Sequence, residues 1–180
     1  MRIFVETDRL ILRELHPTDE IAMYEMDSDP EVHKYLGNDP VKDIGRVRFA
    51  IQSIRQQYVD NGIGRWAMVN KDTNAFMGWT GLKLIKDPTE GYDSHYDLGY
   101  RMMRKYWGQG FATESAIASV EYGFNVLNVA EINARAEVGN LASKNVLQKA
   151  GLKVVDTRDF DNIPHYFFSL LKADWERLKL

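Results

Sequence analysis

The chain has 180 residues, 44% of them hydrophobic, a formal net charge of −3 and no cysteine. That length and composition fit one globular domain with a sizeable core, and the missing cysteines exclude disulfides, thiolate metal sites and a covalent cysteinyl-acyl intermediate. Lysines and arginines are scattered rather than gathered into a stripe, which argues against broad nucleic-acid capture; no apolar run approaches the ~20 residues of a membrane span, and His16, His33, His95 and His165 lack metal-ligand spacing. The expectation is a cytoplasmic, metal-free protein without nucleic-acid or membrane partners, with a homodimer left open.

In chain order, Arg9 to Leu15 reads as a strand. A helix starts at Thr18 after Pro17, with Asp19 and Glu20 where the helix dipole favours anions. A second helix from about Val41 to Val59 carries Val47, Ile51, Ile54 and Tyr58 at helical spacing and stops at Asn61-Gly62. Strands Gly64 to Val69 and Phe76 to Ile85 flank the turn-forming KDTN, and Tyr96 to Met103 reads as a third antiparallel strand with Gly99 inside it. An internal glycine of that kind marks a bulge or a close approach by another group.

A helix from about Gly110 to Leu127 follows, then Glu131 to Val138 alternates apolar and polar residues. LASKNVLQKAG is a short helix with Asn140 as N-cap and Gly151 at C′. Strands at about Leu152 to Arg158 and His165 to Leu171 precede a terminal helix from about Ala173. The order describes a single α/β domain spanning 1–180, with a mixed, mostly antiparallel central sheet and helices on both faces.

The stretch RKYWGQGFATESA, Arg104 to Ala116, puts Gly108 and Gly110 between a strand and a helix N-terminus, where unpaired N–H groups and the helix dipole favour an anion such as phosphate. A nucleotide P-loop is excluded because no lysine follows the glycines. The dinucleotide pattern GxGxxG fits only in part, Thr113 standing where its third glycine belongs, and the preceding antiparallel strands contradict a βαβ unit. Coenzyme A is the third ligand class for this geometry.

Here the chain resembles the GNAT acetyltransferase superfamily, in particular its RimJ/RimL-like branch of protein N-terminal acetyltransferases. Glu6 to Gly37 is similar to that branch's TxRLxLRxL opening with its later "DPEV…YLG"; Leu98 to Glu114 resembles "GY.l...yWGkGyatEa"; and Asn140 to Leu152 resembles "N.aS..vleklGF". The resemblance implies a GNAT fold and acetyl-CoA as cosubstrate. It places a pyrophosphate loop on Trp107, Gly108, Gln109, Gly110, Phe111, Ala112 and Thr113, with Trp107 departing from the usual glutamine or arginine. Arg104 and Lys105 could meet phosphate charge. It further implies a bulge at Gly99 that splays this strand from Glu131 to Val138, main-chain pairing of Met102 and Met103 with pantetheine, and a pantetheine contact at Asn140.

The implied reaction is direct attack of a primary amine on the thioester, catalysed largely by orientation and by donors aimed at the carbonyl oxygen. The leaving thiolate, whose thiol has a reference pKa of ~8.5, needs a proton or a hydrogen bond. Many members use a tyrosine where this chain has Leu147, so the resemblance shifts that role to Ser143; a plain helix-terminus role for Ser143 is the competing reading. Asp97 is the candidate base, with Glu137 and the pair His165-Tyr166 as others. Acceptor choice is expected to fall to the first two helices and to the acidic loop with Asp87, Glu90, Asp93 and Asp97, which would attract a cation. The acceptor could be a protein or peptide N-terminus, an amino acid, a polyamine or an antibiotic. A catalytically silent acyl-CoA-binding module and a nucleotide-binding protein are rival readings.

Overall fold

A computed structural model describes residues 1–86 and 94–178. The N-terminal strands β1 (Ile3–Glu6) and β2 (Leu10–Glu14) form an antiparallel pair. A 3-10 turn at Pro17–Asp19 then leads into α1 (Glu20–Asp27), α2 (Pro30–His33) and α3 (Ile44–Asn61). The third helix begins at Ile44 rather than Val41 because Asp43 caps it, its Oδ1 accepting from Gly45 N–H at 3.1 Å. Val41 instead bonds back to the end of α1, its N–H donating to Asp27 O at 2.8 Å.

Then come β3 (Trp66–Asn70), β4 (Phe76–Ile85), β5 (His95–Met102), α4 (Phe111–Asn125), β6 (Glu131–Glu137), α5 (Leu141–Lys149), β7 (Lys153–Phe160), β8 (Ile163–Leu171) and α6 (Lys172–Leu178). The last two strands are longer than the sequence reading had them. Asp161 and Asn162 both take positive φ, 53° and 62°, and so make the two-residue turn that matches strand twist.

The sheet has eight strands in the order β1-β2-β3-β4-β5-β6-β8-β7, and every neighbouring pair is antiparallel except β5 with β6. Alternation along β3 sorts the core onto two faces. Trp66 and Met68 join Leu10, Leu12, Leu82, Phe124, Ile132 and Phe168 against α4, α5 and α6. Ala67 and Val69 join Leu15, Met26, Val47, Ile51 and Met103 against α1, α2 and α3. No helix among the described residues is long and apolar enough to cross a membrane.

The expected bulge at Gly99 is absent: β4 and β5 keep register from Gly78↔Met102 through Gly81↔Gly99 to Ile85↔His95. What needs the glycine is Arg65, whose guanidinium would lie 2.6 Å from a Cβ built there. The splay from β6 is present for another reason. β5 and β6 share one registered pair, Asp97↔Asn133, before they diverge.

Candidate active site

Because β4 takes the Arg101 carbonyl, which lies against Gly78, and supplies Met77 O to Met103 N–H at 2.9 Å, antiparallel alternation turns the main-chain groups of Tyr100 and Met102 into the gap. Met102 O accepts from Trp107 Nε1 at 2.8 Å. Met103 therefore does not offer its N–H to the gap, contrary to expectation: that group completes the β4 ladder and the side chain is buried under α1. The donors left facing the gap are the N–H groups of Tyr100 and Met102.

The loop that follows runs through a 3-10 turn, Arg104–Tyr106, to Trp107, Gly108, Gln109 and Gly110. Gly108 and Gly110 have φ of 73° and 84°, a region costly for residues with a Cβ. Gly110 is the N-cap of α4 and brings no side-chain cap, while Glu114 N–H is the first to reach back, to Gly110 O at 3.0 Å. The N–H groups of Phe111, Ala112 and Thr113 are left without a helix carbonyl, at the positive end of a 15-residue helix dipole.

The cations expected beside this loop turn elsewhere. Arg104 pairs with Asp29 at 3.2 Å and Lys105 with Glu25 at 3.2 Å, both on the α1–α2 side. Arg9 takes their place: it donates to Gln109 O at 3.0 Å, pairs with Glu114 at 2.6 Å and lies 4.2 Å over the Phe111 ring. Burial by itself would raise the Glu114 carboxyl, but hydrogen bonds from Thr7 and Arg9, with the charge of Arg9, hold it below the usual carboxylate range. The β1–β2 turn is thus clamped onto the loop from 100 residues away in sequence.

On the α4 face of β5, Tyr100 reaches across to α5. Its hydroxyl donates to Ser143 O at 3.0 Å and meets Ser143 Oγ at 2.9 Å. A carbonyl only accepts and a phenol has one proton, so Ser143 Oγ–H is the donor in the second contact. Burial pushes the Tyr100 pKa up to about 12, against a smaller lowering by Ser143. The cap of α5 is Asn140, whose Oδ1 accepts from Ser143 N–H at 3.0 Å, so the Ser143 hydroxyl is not occupied in capping. Leu147 is core, 1% exposed.

On the α1 face, Asp97 is not a free carboxylate. Arg65, just before β3, is buried and reaches over β4 to β5, donating to Asp97 Oδ2, to Asp97 O at 2.6 Å and to Gly81 O, so proton acceptance by the Asp97 side chain falls to Oδ1. Arg101 bonds Asp27 Oδ1 at 2.8 Å beside buried His33. Glu137 sits across from His165 at the far end of β6, and His165 Nδ1–H donates to Ile163 O at 2.8 Å, which leaves Nε2 as the acceptor of the neutral ring. Tyr166 lies on the other face with Lys144 4.3 Å over its ring. Asp87, Glu90 and Asp93 lie outside the described residues.

Arg9, Arg65 and Tyr100 had no local signal, because each finds its partner only through the sheet. The family described as an acetyltransferase (GNAT) domain matches residues 9–153. An uncharacterised N-acetyltransferase, p20 of Bacillus licheniformis, is 34% identical over 179 residues, 94% of this chain and 96% of that protein. A GNAT-family acetyltransferase structure from Bacillus anthracis has a TM-score of 0.78 at 23% identity, with 96% of this chain and 99% of that one covered. The spermidine N-acetyltransferase of Vibrio cholerae, solved with CoA and spermine, has a TM-score of 0.75 at 15% identity over 94% and 99% of the two chains, a likeness of fold. By sequence match and by a sheet parted beside an uncapped helix, the chain belongs to the GNAT family of acetyltransferases.

Proposed function

We propose that the enzyme transfers the acetyl group of acetyl-CoA directly to a primary amine held in the gap between β5 and β6. The observation that carries this is the alignment of two unpaired main-chain surfaces, the gap edge of β5 and the first turn of α4, joined by Trp107 to Gly110. An extended pantetheine arm fits the first as a strand would, and a pyrophosphate fits the second.

Acetyl-CoA supplies the activated thioester. Main-chain N–H groups from Gly108 to Thr113 hold its phosphates, and those of Tyr100 and Met102 fix the arm, with Asn140 at the opposite wall. Asp97 Oδ1 takes the amine proton as the new C–N bond forms. Ser143 Oγ–H turns from Tyr100 to hydrogen-bond the departing sulfur as the C–S bond breaks, and the thiolate so stabilised leaves and takes its proton from solvent. Both substrates are present at once, because the chain has no cysteine to carry the acetyl group.

The RimJ/RimL-like resemblance brings a peptide α-amine into the range of acceptors, and the fold likeness to a spermidine N-acetyltransferase brings polyamines. Acetyl-CoA is expected to raise the melting temperature where ATP and NAD do not, since a ligand of the folded state stabilises by mass action. Thiol release over a panel of amines then separates the enzyme from a silent acyl-CoA binder. A shift with ATP and none with acetyl-CoA would sink the reading.

A further inference from the structure

We propose that Asn133 reads the second N–H of the acceptor: its side-chain oxygen and Asp97 Oδ1 together take the two N–H groups of an amine, so that primary amines are selected over N-alkylated ones. The inference rests on the transfer reading above and names what at that site tells one amine from another. At the closed end of the β5–β6 gap, on the face opposite Tyr100, a pocket of about 70 Å³ is lined by Asp97 and Asn133 together with Ile85, Val155 and Phe167 among others. That volume holds an amino group and the carbon that carries it, a liquid water's share being ~30 Å³. The apolar residues suit the carbon, and the oxygens of Asp97 and Asn133 suit the nitrogen.

The Asn133 amide has a donor end and an acceptor end, and only the first is used. Its Nδ2 donates to Glu131 Oε1 at 2.9 Å, an oxygen that also accepts from Ser169 Oγ–H at 2.6 Å. An ionised carboxylate accepts and does not donate, so this contact fixes which way the amide lies and turns Oδ1 away from Glu131. Oδ1 is buried and has no hydrogen-bond partner among the described residues. An acceptor left so is costly until a ligand or a water satisfies it.

Asp97 and Asn133 are the one registered pair of β5 and β6, and Asp97 Oδ2 is held by Arg65. Neighbouring strands lie ~4.8 Å apart, and side chains standing off the sheet carry that spacing outward. Two N–H···O bonds of ~2.9 Å that diverge at a tetrahedral angle need acceptors ~4.7 Å apart. A neutral amine bridging the two oxygens has two directions left, its lone pair for the thioester carbon and its own carbon for the apolar wall. As the C–N bond forms and the C–S bond breaks, the proton on the Asp97 side passes to Oδ1. The proton on the Asn133 side stays, and becomes the amide N–H of the product. An N-methyl amine has a single N–H, which Asp97 must take, and it sets a methyl group against the Asn133 oxygen.

The test is thiol release from acetyl-CoA with matched amines: ethanolamine, glycinamide, benzylamine, spermidine and an alanyl peptide, each beside its N-methyl analogue. In the wild type an accepted primary amine is expected to exceed its N-methyl partner at least ~10-fold in kcat/KM, because the partner leaves a buried acceptor unpaired. Asn133→Leu, similar in size but without the acceptor, should lower kcat/KM for the primary amine at least ~10-fold and leave the N-methyl amine nearly unchanged. The ratio then moves toward one, while the melting shift with acetyl-CoA reports an intact coenzyme site. A merely structural role would depress both amines alike. Equal rates for the two amines in the wild type, or a ratio that survives in Asn133→Leu, overturns the assignment of Asn133 and leaves the transfer reading standing. No thiol release with any amine, the melting shift being kept, overturns the transfer reading and the assignment with it. Should Asn133→Leu fail to fold, Asn133→Ala is read in the same way, and the wild-type pairs decide if neither folds.

Discussion

On the α4 side of β5 the groups offered to a ligand are main-chain N–H groups and one hydroxyl pair; on the α1 side they are charged side chains that mostly hold one another. The first surface depends on backbone angles at Gly108 and Gly110 and on the absence of a paired strand. The second depends on Arg65, Asp97, Arg101 and Asp27, contributed by α1 and by the strands on which Arg65 packs. A backbone surface fails when its geometry is changed and tolerates changes of side chain. A side-chain surface fails when one charge is left alone, since an unmatched buried ion is expensive.

The sharpest way to break the backbone account is Gly110→Asp. With φ at 84° the residue is strained, and the new carboxylate, its Cβ 3.5 Å from Arg9, would take the place that the proposed function gives to a phosphate oxygen. Coenzyme affinity should fall at least ~100-fold by calorimetry, in line with the loss of several charge-assisted bonds, while circular dichroism stays native. Retained affinity would move the phosphates elsewhere.

Next in size is the Ser143–Tyr100 pair. Ser143→Ala should lower kcat at least ~10-fold with little change in coenzyme affinity, because a bond made in the transition state is absent from ground-state binding. Tyr100→Phe removes the group that holds the serine proton and should cost less, roughly 3-fold in kcat. A larger loss in Tyr100→Phe than in Ser143→Ala would make the phenol the proton source.

Arg9→Ala sharpens the comparison from outside the loop. It removes a hydrogen bond to Gln109 O, the pair with Glu114 and the stack on Phe111. Stability should drop by ~1–2 kcal/mol and coenzyme affinity by several-fold, with kcat at saturation kept. Loss of kcat with affinity intact would place Arg9 in the chemistry instead.

The smallest effect belongs to the charged side. Burial first, then the charge of Arg101, pushes the His33 pKa below its ordinary value, with Asp27 and Asp39 pulling the other way. The unfolded chain therefore takes up this proton first. Stability from this group is full above the unfolded pKa of ~6.5 and is lost as pH falls from there toward the folded value. His33→Gln should flatten chemical-denaturation midpoints between pH 7 and 5, and an unchanged slope would assign the acid loss to other groups.

How much of this was legible follows the same division. Gly108, Gly110 and the Asn140 cap announce themselves in sequence because a bare turn before a helix and an Asn before another are local signals. The alternation of β6 and the extent of β4 were readable for the same reason. β1 and α2, four residues each, are too short for periodicity to show. At Gly99 the sequence offers a bulge or a close approach and cannot choose between them, because the group that approaches, the guanidinium of Arg65, arrives from 34 positions away through the packing of β3 beside β4. Arg9 with Gln109 and Tyr100 with Ser143, 100 and 43 residues apart, exist only once the sheet is built.

Inside β5, Arg101 is locked to β4 while Tyr100 and Met102 on either side of it face the gap. A central strand guarded along one edge has amides of two kinds in alternation: those that must wait for the sheet to open before trading hydrogen for deuterium, and those that need not. A pantetheine arm lying in the gap acts on the second kind alone. Isotope exchange at Tyr100 and Met102, with Arg101 between them as an internal clock, would then record occupancy of the gap residue by residue, independently of whether any acetyl group is ever transferred.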